Sequence, residues 1–66
     1  MDYAKLIKQI RNSLFLTQEE LAKLLSVSFV SVNRWENGHF EPTMKIKRRL
    51  YQLCKENKIK WEDPND

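Results

Sequence analysis

Apolar residues recur at three- and four-residue steps along most of the chain, a spacing that predicts amphipathic helices. Glycine occurs once and proline twice, and no stretch alternates apolar and polar residues as a half-buried strand does. The pattern predicts an all-α fold, a compact bundle of four to five short helices. It also predicts one domain at residues 1–60, followed by a short acidic C-terminal tail at 61–66.

The first two predicted helices precede a short link at residues 26–28. The first runs from about Asp2, an N-cap, to Ser13. Its apolar face consists of Tyr3, Leu6, Ile7, Ile10 and Leu14. The second helix starts at Thr17, where Thr17-Gln18-Glu19-Glu20 fits a capping box, and it ends near Leu25. Its predicted buried face consists of Leu21, Ala22, Leu24 and Leu25.

The third and fourth predicted helices lie on either side of the single glycine. The third follows Ser28 as its N-cap and ends at Asn37-Gly38, where glycine tolerates the left-handed conformation. The fourth opens at Pro42-Thr43 and fades near Asn57. Its predicted apolar face consists of Ile46, Leu50, Leu53 and Cys54, with Met44 nearby. Ile59 and Trp61 are expected to fold back on the core.

Only Ser26-Val27-Ser28 joins the second helix to the third. Such a short link makes two helices cross steeply, and the small side chain of Ala22 suits the point where the third helix passes over the second. The sequence therefore predicts a helix-turn-helix at about residues 18–36. Its third helix would be held as a rigid probe, and the major groove of DNA is wide enough to admit a helix.

Charge is distributed unevenly along the chain. Residues 1–42 have no net charge, residues 43–60 carry a net +6 and residues 61–66 a net −3, within a total of +3. A basic block of this kind suits a polyanion such as nucleic acid. The alternative is a solvated, lysine-rich helix face, and charge alone does not decide between the two.

Several function classes lack the residues that they need. Cys54 is the only cysteine and His39 the only histidine, so neither an internal disulfide nor a zinc site is expected. The sequence offers no nucleophile–base pair and no glycine-rich phosphate loop, so we expect neither an enzyme nor a cofactor. Without a signal segment or an apolar run of ~20 residues, we expect a cytoplasmic protein with no membrane partner. A chain of 66 residues leaves no room for a ligand-sensing domain, so no small-molecule partner is expected. The initial methionine and the acidic, proline-bearing tail favour a complete small protein.

Three segments together carry a family resemblance. They are Thr17-Gln18-Glu19-Glu20-Leu21-Ala22-Lys23-Leu24-Leu25, Trp35-Glu36-Asn37-Gly38 and Pro42-Thr43. With these segments, residues 3–57 resemble the phage-repressor and Cro-like helix-turn-helix family (XRE-type), mainly bacterial and phage transcriptional regulators that bind DNA as homodimers. Two departures stand out. Ser26 replaces the usual glycine of the turn, at a cost of about 1 kcal/mol, and a short tail replaces the family's fifth helix.

The resemblance implies that exposed positions of the third helix read DNA bases. These positions are Phe29, Val30, Asn33 and Arg34. Arg34 could pair with guanine O6 and N7, and Asn33 with adenine. Phe29 and Val30 could contact thymine methyl groups. The alternative for Phe29 is core packing or a protein contact, and for Asn33 and Arg34 it is plain surface.

A second set of residues is expected to contact DNA phosphates. By resemblance, Gln18 binds a phosphate and braces the recognition helix, and the start of the fourth helix follows the DNA backbone. The predicted phosphate-binding residues are Gln18, Ser28, Ser31, Arg11, Asn37, Lys45, Lys47 and Arg48. Ser28 could instead serve only as a cap, any one lysine could be solvated surface, and His39 is expected to be a loop residue.

The remaining assignments are structural. Ala22, Val32 and Trp35 are expected to lock the second and third helices together. By resemblance, Arg11 and Glu36 form an ion pair between the first helix and the end of the third. Trp61, Tyr51, Leu53 and Cys54 are candidates for either the core or a dimer interface, and packing is the more ordinary role for a lone cysteine.

These observations predict sequence-specific binding of double-stranded DNA by a transcriptional regulator, a repressor associated with the bacterial nucleoid. The resemblance implies that it acts as a homodimer. Its operator would be two-fold symmetric, with half-sites about 34 Å apart. The alternative is a protein-interaction module, such as an antitoxin or adaptor, that keeps the fold and uses Phe29 and Val30 as an apolar anchor. Steep salt dependence would favour DNA, because counterions are released from phosphates on binding.

Overall fold

The computed structural model describes residues 2–60, which form four α-helices. They are α1 (Tyr3–Ser13), α2 (Gln18–Leu25), α3 (Phe29–Glu36) and α4 (Met44–Glu56). No strand occurs within this range, so the predicted all-α class is confirmed. The predicted acidic tail, with Trp61, lies outside the described residues.

Three of the four helices, α1, α2 and α3, begin with a side-chain cap. Asp2 accepts a hydrogen bond from the N–H of Lys5 over 3.2 Å. At α2 the predicted capping box is complete: Thr17 Oγ1 accepts from the N–H of Glu20 over 3.1 Å, and Glu20 Oε1 accepts from the N–H of Thr17 over 2.9 Å. Thr43 is the N-cap of α4 but accepts no hydrogen bond with its side chain. These caps satisfy amides that a helix leaves without an internal partner.

Each helix is followed, within two residues of its end, by a residue with positive φ. The next backbone N–H donates to the carbonyl five residues earlier. The four residues with positive φ are Phe15, Ser26, Gly38 and Lys58. The four hydrogen bonds are Leu16 to Arg11 (2.9 Å), Val27 to Ala22 (2.9 Å), His39 to Arg34 (3.1 Å) and Ile59 to Cys54 (2.8 Å). This is the Schellman arrangement. It allows Leu16, Val27 and Ile59 to pack against the core.

The core lies where α1 packs against α3 and α4 and where α2 packs against α3. Its buried apolar residues are Leu6, Ile7, Ile10, Leu21, Ala22, Leu25, Val32, Trp35, Ile46, Leu50, Leu53 and Cys54. The predicted locking residues Ala22, Val32 and Trp35 are all among them. Of the candidates for core or interface, Leu53 and Cys54 are core, whereas Tyr51 is 50% exposed.

The predicted burial of Leu24 is wrong, because its side chain is 40% exposed. On a helix with 100° per residue, Leu21, Leu25 and Ala22 cover an arc of roughly 100°, and Leu24 lies roughly 60° beyond its edge. An eight-residue helix that packs chiefly against one neighbour buries only that arc. Leu24 therefore lines a surface groove instead.

Candidate nucleic-acid interface

One face of α3 is anchored in the core and the opposite face is presented to solvent. Val32 is fully buried and Trp35 is 8% exposed. The four positions predicted to read bases are Phe29, Val30, Asn33 and Arg34, and at 100° per residue they share an arc of roughly 140° on the other side. The helix can therefore present this arc to a partner without any loss of core packing.

The four side chains in this arc differ in exposure. Phe29 is 45% exposed and Val30 is 51% exposed, so the alternative that Phe29 belongs to the core is wrong. Arg34 is exposed and Asn33 is half-buried. The arrangement combines an apolar pair at the start of α3 with a cation and an amide further along. In the major groove, apolar side chains contact thymine methyl groups, and arginine and asparagine form hydrogen bonds with purine edges.

Glu36 is a buried carboxylate at the end of α3 that receives three hydrogen bonds. Arg11 donates through Nε and Nη2 over 2.8 Å and 3.1 Å, and Gln18 donates through Nε2 over 3.1 Å. The hydrogen bond to Glu36 raises the pKa of Arg11 further above its already high value, against a smaller lowering from burial. The predicted ion pair of Arg11 and Glu36 is therefore present, and Gln18, the first residue of α2, also donates to the Glu36 carboxylate.

This cluster ties three helices to one another, because Arg11 belongs to α1, Gln18 to α2 and Glu36 to α3. Arg11 also donates through Nη1 to the carbonyl of Leu16 over 3.4 Å. With these contacts, the structural role predicted for Arg11 is in place. Gln18 braces α3 as predicted, through its bond to Glu36; its phosphate contact and that of Arg11 stay predictions.

The hydroxyls of Ser28 and Ser31 are engaged with each other at the start of α3. Ser28 Oγ accepts from the N–H of Ser31 over 3.1 Å and lies 3.0 Å from Ser31 Oγ. Ser28 is thus the N-cap that the sequence predicts. A phosphate contact by either serine stays a prediction.

Cations of α4 line a groove of about 690 Å³ between α4, the end of α2, the turn and α3. The basic residues in its wall are Lys45, Arg48 and Arg49, and they face Ser31 and Trp35 across it. Lys45 and Arg48 are exposed. Two of the predicted phosphate-binding cations therefore lie together on the α3 side of α4.

Lys47 occupies a different side of α4 from Lys45 and Arg48. Its Nζ lies 3.3 Å from Oε2 of Glu41 and 4.7 Å from the centroid of the Tyr3 ring. This places Lys47 toward the start of α1. Asn37 is the exposed C-cap of α3 and His39 is exposed in the following loop. The three predicted phosphate-binding cations of α4 lie on two sides of that helix, with Lys45 and Arg48 beside α3 and Lys47 toward α1.

Sequence reasoning missed Phe40, which belongs to the loop between α3 and α4. Its ring is 59% exposed and lies beneath the guanidinium of Arg34, with 5.4 Å between Cζ and the ring centroid. No local pattern marks this contact, because it depends on how the loop returns along α3. The only available signal was an aromatic residue just after the Asn37-Gly38 helix end.

Two further features of residues 2–60 bear on the site. None of their helices has the length and apolarity that crossing a membrane requires. Within the same residues, no group of three or more His, Cys, Asp or Glu side chains is placed to hold a metal ion.

Comparison with known proteins assigns this arrangement to a family. The helix-turn-helix family model matches residues 7–54, and the chain belongs to that family, as its resemblance predicted. The chain is also similar to the HTH-type transcriptional regulator DicA of Escherichia coli (strain K12), with 51% identity over 49 residues. That match covers 74% of this chain and 34% of DicA, so it concerns about a third of the relative's length. No solved structure matches.

Proposed function

We propose that this chain is a DNA-binding transcriptional regulator that reads the major groove of double-stranded DNA with α3. The observation that carries the proposal is the arc of Phe29, Val30, Asn33 and Arg34 on a helix whose opposite face is buried. A side chain reads a base edge reliably only when the backbone beneath it is rigid. The core anchors of α3 and the carboxylate cluster at its end supply that rigidity.

In this proposal the residues divide by role. Arg34 pairs with a guanine edge, Asn33 with adenine, and Phe29 and Val30 contact thymine methyl groups. Phosphate contacts come from the ends of helices and from exposed cations, and they set register and affinity rather than sequence choice. They are assigned to Gln18, Ser28, Ser31, Arg11, Asn37, Lys45, Lys47 and Arg48.

We further propose that the chain acts as a homodimer on a two-fold symmetric operator in a bacterial or phage context, and that it represses transcription. Two copies related by a two-fold axis would place their α3 helices in successive major grooves, about 34 Å apart. The similarity of the chain to DicA, a transcriptional regulator, supports a role in transcription.

The proposal is tested by the effect of Arg34→Ala on sequence discrimination. On a preferred duplex we expect a loss of about 1–3 kcal/mol and relaxed preference at one base pair. Lys55→Ala, which removes one cation from the last turn of α4, is the matched control for charge. We expect it to leave discrimination unchanged. Equal effects of the two variants on every sequence would show that Arg34 reads no base.

A second candidate function follows from the exposure of Phe29 and Val30. Together they place an apolar pair at the start of α3, as a protein-interaction module such as an antitoxin or adaptor requires. That function predicts binding to a protein with little salt dependence and no preferred duplex. DNA binding predicts the reverse, because each neutralised phosphate releases counterions.

A further inference from the structure

A contact between a cation and an aromatic ring crosses from α3 to the following loop. The Cζ atom of Arg34 lies 5.4 Å from the centroid of the Phe40 ring, a separation at which a cation is attracted by the face of the ring. Both side chains are exposed. The contact therefore lies at the surface of the molecule and buries neither group in the core.

The backbone that carries Phe40 is fixed on both sides of the ring. Immediately before it, the N–H of His39 donates to the carbonyl of Arg34 over 3.1 Å. Two residues after it, Pro42 is buried. The loop is thus tied by its backbone to the same arginine whose side chain the ring contacts. The fold therefore sets where the backbone of Phe40 lies relative to α3.

Such a contact lowers the conformational entropy that an arginine side chain loses when it binds a base. Arginine has one of the most flexible side chains, and ordering it on a partner costs conformational entropy. A ring close to the guanidinium restricts its rotamers in advance. A guanidinium has about five N–H donors, so one neighbouring ring leaves donors available for a base edge. Preorganisation of this kind raises affinity without adding a contact to the partner.

We propose that Phe40 is a positioning residue for base recognition, and that its ring holds the guanidinium of Arg34 in the orientation that pairs with a guanine edge. This role rests on the proposed function, in which Arg34 reads a base. Phe40 acts through Arg34 and makes no specific base contact of its own. Discrimination at the base pair read by Arg34 thus depends on Phe40, which lies outside the helix-turn-helix.

The test uses the full chain and the duplex that it prefers. Phe40→Leu keeps an apolar side chain but removes the ring, and Phe40→Trp keeps a ring with a stronger attraction for cations. Discrimination is the ratio of Kd values for the duplex altered at the base pair assigned to Arg34 and for the preferred duplex. We expect F40L to lower this ratio about two- to fivefold, the range of an exposed cation–π contact, and F40W to retain it.

A double-mutant cycle separates positioning from a direct contact with DNA. In an Arg34→Ala background, Phe40→Leu should change the ratio no further. Phe15→Leu alters another exposed phenylalanine, one that is 93% exposed in the loop between α1 and α2. It should leave the ratio unchanged. Thermal unfolding of F40L should match that of the wild type, which excludes a general loss of structure.

A measurement on the free protein adds a readout that does not depend on DNA. The Nε–H resonance of Arg34 should shift in Phe40→Leu, because the ring current of Phe40 is lost. Unchanged discrimination in F40L, or an equal effect with and without Arg34, would overturn the positioning role and leave DNA binding intact. A folded wild-type protein with no preferred duplex would overturn the proposed function and this role with it.

Discussion

Arg11 holds both carboxylate oxygens of Glu36 with one guanidinium, through Nε to Oε2 over 2.8 Å and through Nη2 to Oε1 over 3.1 Å. Glu36 is the last residue of α3 and is 4% exposed, so its carboxylate takes its hydrogen bonds from Arg11 and Gln18 rather than from water. A bidentate pair of this kind fixes geometry as well as charge. The orientation of α3 at its C-terminal end is thus set from α1.

Arg11→Ala should destabilise the fold by about 2–3 kcal/mol, because it leaves a buried carboxylate without its cation. The value lies below that for a fully buried pair because 22% of the Arg11 side chain is exposed. Urea-induced unfolding followed by circular dichroism measures the loss. Lys8→Ala, which removes an exposed cation from the same helix, is the matched control and should change stability little.

The double variant Arg11→Met with Glu36→Leu checks the origin of that loss. Replacing both charges with apolar groups of similar size should recover most of the stability, because no unpaired buried charge remains. A double variant as unstable as Arg11→Ala would contradict this account. It would mean that packing, and not the stranded carboxylate, explains the cost.

Glycine should stabilise the chain where α2 ends. Ser26 has φ 57°, a left-handed conformation that strains any residue with a Cβ atom. Ser26→Gly should raise the free energy of unfolding by about 0.5–1 kcal/mol, the relief of strain less the greater freedom of glycine in the unfolded chain. Thermal denaturation measures the change as a higher Tm.

Gly38→Ala is the matched reverse experiment at the end of α3. Gly38 has φ +75° and no atom within 4 Å of a Cβ built at that position, so any cost comes from the backbone alone. We expect a loss of about 1 kcal/mol. A stabilised G38A, or a destabilised S26G, would show that left-handed strain does not govern these helix ends.

Cys54 should be unreactive in the folded protein. Burial raises the pKa of its thiol above the ordinary value of 9.0, and the thiolate is the reactive form. We expect disulfide exchange with an aromatic disulfide reagent at pH 8 to be slow in buffer and fast in urea. The raised pKa also makes stability depend on pH. The buried, protonated thiol favours the folded state below pH 9.0, and this stabilisation is lost as the pH rises through the pKa of the folded protein. Rapid modification of the native protein would contradict the packing role.

Arg48 and Lys47 should differ in their effect on DNA binding, although they are neighbours in sequence. Arg48 is exposed in the groove beside α3, whereas Lys47 is engaged with Glu41 and Tyr3. Arg48→Ala should weaken binding to all sequences alike and reduce the salt slope by about one. Lys47→Ala should have a smaller effect on the slope. The slope is measured by determining Kd at a series of salt concentrations. Equal slopes for the two variants would contradict the different roles assigned to Arg48 and Lys47.

The helices and their caps could be predicted because the determining signals are local. Thr17 and Glu20 lie three residues apart, and a capping box needs nothing else. The left-handed conformation of Ser26 is implied by the family resemblance, because Ser26 stands where the turn usually has glycine. The buried faces followed from helical spacing, except at Leu24, where the spacing fits a wider buried arc than one neighbouring helix provides.

The details of the candidate site depended on tertiary structure. The contact of Arg34 with Phe40 and that of Lys47 with Tyr3 join residues whose sequence gives no sign of a partner. The direction of a long cationic side chain follows from what surrounds it, so identical residue types on α4 face different sides. Sequence could place Arg34, Lys47 and Tyr3 on helices but could not assign their contacts.

The measurement that tests the central claim most directly is selection of preferred sites from random duplex DNA at near-physiological salt. We predict enrichment of a motif with two-fold symmetry, whose half-sites lie about one helical turn apart and include a guanine that depends on Arg34. Enrichment of a single half-site would retain base reading by α3 and contradict the homodimer. No enrichment by a protein shown to be folded would contradict sequence-specific DNA binding and favour the protein-interaction function.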